Sequence, residues 1–138
     1  MTAASNVQPS IELQGQQWKL AFPRKWLRIL AVPWTLILIA GSLMGDSAKG
    51  HIGTHIFHRP FHFVSFGATA ALYMLLATTA AGELKAALAA TGLGFSLEAL
   101  QHWIYGNAME WWDVRDDAIG IGVALLIFRG ISRWNGAR

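Results

Sequence analysis

Long runs of apolar residues, broken by short polar segments, organise this chain. The clearest is 61–81, 21 residues in which His62 is the one ionisable side chain. A run of that length matches the roughly 20 residues an α-helix needs to cross a bilayer. An earlier run at 26–45 contains Pro33, which is expected to kink it. A third, 86–105, opens with small residues (Gly92, Gly94, Ser96) that permit close backbone approach and closes with Glu98, Gln101 and His102. The last uninterrupted apolar run, 118–128, has 11 residues and is too short alone. Started at Trp112 it reaches full length, which brings Asp113, Arg115, Asp116 and Asp117 into its outer third. Those acids must then face protein or water rather than lipid.

The pattern predicts an all-α fold, an integral membrane four-helix bundle over 26–131. A flexible polar tail and interfacial segment (1–25) precede it and a short basic tail (132–138) follows. The turn at Gly82, Glu83 and Lys85 is so short that the helices it joins must pack antiparallel. A cleaved signal peptide is the rival reading of the first run. The long polar leader and the lack of a small-residue cleavage site favour an uncleaved span.

Composition agrees, since 54% hydrophobic and 14% charged residues leave too little polar surface for a soluble domain of 138 residues. No cysteine is present, which excludes disulfides, thiol catalysis and Cys-ligated zinc. The pI near 9.7 does not point to nucleic acid, because the basic residues cluster at the ends of the apolar region. Lys19, Arg24, Lys25 and Arg28 precede the first run, and Arg129, Arg133 and Arg138 follow the last. With Lys85 they make eight on one side against Lys49, Arg59 and Arg115 on the other, so both termini are expected in the cytoplasm and the chain in the plasma (inner) membrane. All five histidines (His51, His55, His58, His62, His102) then lie on the outer side, with Asp46, Glu98, Glu110, Asp113, Asp116 and Asp117.

Helical rise places Glu98 about 10 Å and Asp117 about 8 Å below the outer ends of their spans, close to the level of His62. Glu98 shares a face with Gln101 and His102, and Asp113 shares one with Asp117. Glu98 is thus a candidate proton donor or acceptor, and His62 or His102 can exchange protons near neutral pH. The competing reading is that these groups hydrogen-bond across helices and fix the packing. His51, His55, His58 and His62 recur at spacings of four, three and four, as in a transition-metal site. Gly50, Gly53 and Pro60 argue against a continuous helix there, so a solvated loop is preferred and no metal is assigned. The pairs Gly41/Gly45, Gly67/Ala71 and Gly120/Ala124 suit helix packing within the chain. With no phosphate-binding glycine loop, Ser nucleophile elbow or HExxH, no cofactor is predicted.

The stretch His58-Arg59-Pro60-Phe61-His62-Phe63, with Phe66-Gly67 after it, resembles the first motif of the VanZ-like family. That motif has an acidic-basic pair and then His-Phe at the start of a transmembrane helix. Glu98 and Gln101 resemble the family's Glu-x-x-Gln, and Asp113-Val114 followed by Asp117, Gly120 and Gly122 resembles its closing Asp-Val, Asn, Gly pattern. The likeness covers 58–122, about half the chain. His58 stands where the family has an acid, and Asp117 where it has Asn. The resemblance implies a small cell-envelope membrane protein; the family's namesake is associated with low-level resistance to the glycopeptide teicoplanin, and no established reaction comes with the name.

Three functions follow as expectations. The first is binding or processing of an amphiphile at the outer leaflet, such as a lipid-linked envelope precursor, with membrane lipid as its surroundings. Glu98, His62, Asp113 and Asp117 would be its catalytic candidates, and Gln101, His102, Arg59, His58 and Asp116 would bind. The second is a structural bundle that binds a membrane protein partner. The third is metal or proton handling, which ranks last because the inner halves of spans two and three are apolar.

Overall fold

The computed structural model describes residues 23–44 and 58–136. They form four α-helices and, among the described residues, no strand: α1 (Arg24–Ser42), α2 (His58–Leu76), α3 (Ala80–Tyr105) and α4 (Trp111–Gly136). Residues 1–22 of the expected tail and interfacial segment, the histidines at 51 and 55 and Gly45 lie outside the described residues, whereas Arg24 and Lys25 already belong to α1 and 132–136 to α4. The all-helical bundle is as the hydrophobic runs predict. By length and composition, one helix among the described residues, α1, is long and apolar enough to cross a membrane. The other three carry the polar residues that dilute their apolar runs: His58, Arg59 and His62 in α2, Glu83 and Glu98 in α3, and Asp113 to Asp117 in α4.

Helix ends differ from the expected ones for local reasons. Pro33 sits inside α1 without ending it. Helix α2 begins at His58, and Pro60 falls in its first turn, where a missing N–H costs nothing. The turn expected at Gly82–Lys85 lies instead between Leu76 and Ala80, and those residues belong to the start of α3. Thr79 causes the shift: its extended backbone and side-chain oxygen, which accepts from the Gly82 N–H at 3.0 Å, cap the helix. Helix α3 ends at Gly106, whose φ of 68° is the left-handed conformation a C-terminal cap requires.

Helix α2 packs against each of the other three, most extensively against α4. Cross-helix pairs join His58 to Asp113 and His62 to Asp117, so α2 and α4 run parallel at a constant offset of 55 residues. Their backbones touch at Gly67 and Gly120, where a Cβ added to Gly120 would lie 2.1 Å from the carbonyl oxygen of Phe63. A Cβ on Gly67 would stand 3.1 Å from Gly120 O, whereas one on Gly41 would meet nothing within 4 Å. The packing role expected of small residues therefore holds at Gly67 and Gly120 and not at Gly41. Trp34 Nε1 donates to Thr69 Oγ1 at 2.9 Å, and the Thr35 and Tyr73 hydroxyls meet at 2.9 Å; these bonds fix α1 on α2.

The core combines Phe66, Met74, Leu97, Ile121 and Phe128 with the small Ala70, Ala87, Ala90 and Ala124. Polarity is otherwise inverted. Glu83, Glu98, Asp113, Asp116, Asp117 and His62 are buried, while Ile37, Leu36, Leu88, Leu126 and Trp103 are each at least 60% exposed. Far from the acids at the start of α4, Glu83 is buried against Arg129, whose Nε lies 3.3 Å from Glu83 Oε2. The α2–α4 contact yields a direct test. Gly120→Ala forces the two backbones apart and should lower stability by about 3 kcal/mol or more, while Gly122→Ala, with open space around it inside a helix, should raise it by up to about 1 kcal/mol. Thermal unfolding of the two variants measures the difference.

Candidate functional site

The first turns of α2 and α4 and the last third of α3 bring their ionisable side chains together. His58 and His62 are four residues apart on α2, and Asp113 and Asp117 repeat that spacing on α4. Because the helices are parallel, the pairs face each other as two rungs. His58 Nε2 lies 2.8 Å from Asp113 Oδ2, and His62 Nδ1 donates to Asp117 Oδ1 at 3.0 Å. His62 Nε2 is also 3.5 Å from Asp113 Oδ2, so this one carboxylate oxygen touches both imidazoles. The rings stand edge to face with centroids 4.9 Å apart, and the far side of His62 stacks on Phe66.

Arg59 forms a separate pair. Its Nε donates to Asp116 Oδ2 at 2.8 Å, and Arg115 donates to Asp116 Oδ1 from Nε and Nη2 at 2.9 and 2.5 Å. Both guanidinium groups also lie over the Trp112 ring, at 5.8 and 4.6 Å from its centroid. The two cations at this end thus attach to one acid, Asp116, and neither is hydrogen-bonded to Asp113, Asp117 or Glu98.

Glu98 is 4% exposed and lies within the electrostatic reach of Asp113, His62, Glu110 and Asp117. Its carboxylate makes no hydrogen bond among the described residues. Asp117 Oδ2 is buried without a partner as well, set so close to α3 that a Cβ on Gly94 would fall 2.7 Å from it. Gly94 is therefore what admits Asp117 beside α3, whereas Gly92, expected to act likewise, has open space. The site holds several carboxylates, two imidazoles and little compensating positive charge, an arrangement suited to moving a proton or holding a cation.

Of the residues singled out from the sequence, His58, His62, Glu98, Asp113 and Asp117 converge, and Arg59 and Asp116 form their rim. Gln101 is half-buried and makes no hydrogen bond among the described residues. His102 is exposed and donates from Nδ1 to the carbonyl oxygen of Asn107, closing the end of α3 rather than entering the cluster. Glu110 went unassigned in the sequence, yet its Oε2 stands 3.5 Å from His58 Nε2. Its position three residues before Asp113, across the start of α4, was the available signal. The pair of Glu83 with Arg129 was also missed, because the acid lay in an expected loop.

The chain matches no protein-family model, and no curated protein or solved structure shows significant similarity to it.

The two oxygens of Asp117 give a prediction. Asp117→Asn keeps an acceptor for His62 and removes an unpartnered buried charge, so stability should stay within about 1 kcal/mol of the parent. Asp117→Ala strands His62 Nδ1 and should cost about 1–3 kcal/mol. Thermal or denaturant unfolding ranks the three proteins, and an alanine variant as stable as the asparagine one would contradict this account.

Proposed function

We propose that this chain is a VanZ-like protein of the bacterial inner membrane, with four spans, cytoplasmic termini and a site that binds the polar head of an amphiphile at the outer leaflet. One observation carries the reading: buried acids and imidazole inside a helical bundle whose outer faces are lined with exposed Leu, Ile, Val, Phe and Trp. In water that exchange is unfavourable on both counts, whereas in a bilayer the apolar faces meet lipid and the ionisable groups retreat to one another. Helices of 19, 19, 26 and 26 residues are long enough to cross if the polar first turns of α2 and α4 lie at the headgroup level. The Trp111–Trp112 pair suits that level.

Support for the family comes from where its motif residues fall. His62, Glu98, Asp113 and Asp117 stand far apart in sequence and gather at one end of the bundle. In this role Glu98, which makes no hydrogen bond among the described residues, gives up or accepts a proton at the ligand, while Asp117 orients His62. Arg59 and Arg115, anchored on Asp116 and exposed at the rim, attract an anionic headgroup such as that of a lipid-linked envelope precursor. The theme of glycopeptide susceptibility attaches to the chain through the family alone. A second reading, a purely structural bundle with a membrane protein partner, is favoured by the fact that His58, Arg59 and His62 all engage acids of α4.

Topology and ligand are tested separately. Single cysteines at Ala108 and Ala81, neither of them buried, should label from opposite faces of the membrane, Ala108 from outside. Gly106 is avoided because its left-handed backbone would strain a cysteine. Native mass spectrometry of protein released from membranes should then show a retained lipid, reduced at least about tenfold in Glu98→Gln at equal expression, a loss of about 1.4 kcal/mol of binding. Labelling of both cysteines from one side, or lipid retention indifferent to Glu98, would remove the proposal.

A further inference from the structure

We infer that His58, His62 and Asp113 form a binding site for a divalent transition-metal ion, with zinc the cation that suits them best. Nε2 of His58, a ring nitrogen of His62 and a carboxylate oxygen of Asp113 lie within 4.8 Å of one another. Two histidines one helical turn apart on α2, with a carboxylate from α4, make a ligand set of the kind zinc takes in open sites. In a tetrahedral set, ligands about 2.1 Å from the metal stand about 3.4 Å apart. The two Nε2 to Oδ2 separations, 2.8 and 3.5 Å, bracket that value. The two rings stand with centroids 4.9 Å apart, and the His58 side chain is 34% exposed rather than locked in the core.

Two further observations point to a cation. His62 donates its Nδ1–H to Asp117, which leaves Nε2 as the nitrogen with a lone pair and turns it toward Asp113. A carboxylate behind a histidine in this way is the usual outer-shell partner of a metal ligand. Among the described residues the local charge is also unbalanced. Asp113, Asp117, Glu98 and Glu110 act on one another here, while Arg59 and Arg115 are both held by Asp116. A divalent ion supplies the missing positive charge at the centre of the cluster. Glu110 Oε2, 3.5 Å from His58 Nε2, or a water molecule can take a fourth position. His58 stands where the resembling family has an acid, so the site is a property of this sequence.

The inference is independent of the lipid ligand: metal binding can fail while lipid is retained, and the reverse. Full-length protein purified in detergent, stripped with a chelator and titrated with Co²⁺, should bind one equivalent with the d–d absorption of a four-coordinate ion, and Zn²⁺ should displace it. His58→Asn and Asp113→Asn should each weaken binding at least about tenfold, the scale on which even outer-shell substitutions act. His102→Ala should leave it unchanged. Should the Asp113 variant not fold, His58→Asn at the half-exposed mouth of the cluster decides the question, with circular dichroism to confirm its helicity. Absence of saturable Co²⁺ binding in the parent protein would overturn the inference. Binding unchanged by His58→Asn and lost on replacing His51 and His55 would overturn it too, by moving the ion to the residues that precede α2.

Discussion

The structure depends on the backbone contact between α2 and α4. At Gly120 there is no room for a side chain beside Phe63, and that closeness lets short side chains reach across the seam. On this seam two histidines of α2 meet two aspartates of α4 at 2.8 and 3.0 Å. The parallel direction of α2 and α4 follows from an even number of reversals, α3 being the antiparallel element between them. With both helices in register, one four-residue spacing on each is enough to build two adjacent His–Asp rungs.

The third wall is set by a similar constraint on volume. Gly94 leaves space for Asp117 Oδ2 and for the Phe66 ring, so the carboxylate is pressed against α3 instead of being directed to solvent. A buried carboxylate oxygen without a partner is costly, and such groups persist where they do chemistry or await a ligand. Glu98, also without a hydrogen bond among the described residues, is buried within electrostatic reach of Asp117 and His62. The polar end of the bundle therefore divides into a satisfied half, Asp116 with its two arginines, and an unsatisfied half around His62.

The helical class, the number of elements and most of the cluster were legible in the sequence, because apolar run length and i, i+4 spacing are local properties. Placing Glu98, His62 and Asp117 at one level needed only the rise of a helix. What could not be read depended on single caps or on three-dimensional packing. The Thr79 cap moved the start of α3 by six residues and turned Glu83 from a loop acid into a buried one. His102 has the spacing of a site residue but lies beside the C-terminal cap of α3, where the Asn107 carbonyl claims it. The partner of each histidine rested on the parallel register, which no pattern within one helix encodes.

The pair of Glu83 and Arg129 has a consequence for how the molecule is divided. Arg129 also donates to the carbonyl oxygen of Ala80 at 2.8 Å, so it closes the first turn of α3 as well as neutralising the acid there. It lies twelve residues beyond Asp117, about 18 Å along α4, too far for the two charge clusters to share partners. Two separate charge clusters thus sit on one helix, one joining α4 to α2 and the other joining it to α3. Sequence drift at the His58 end can alter the first cluster while the clasp at Arg129 keeps α3 and α4 together.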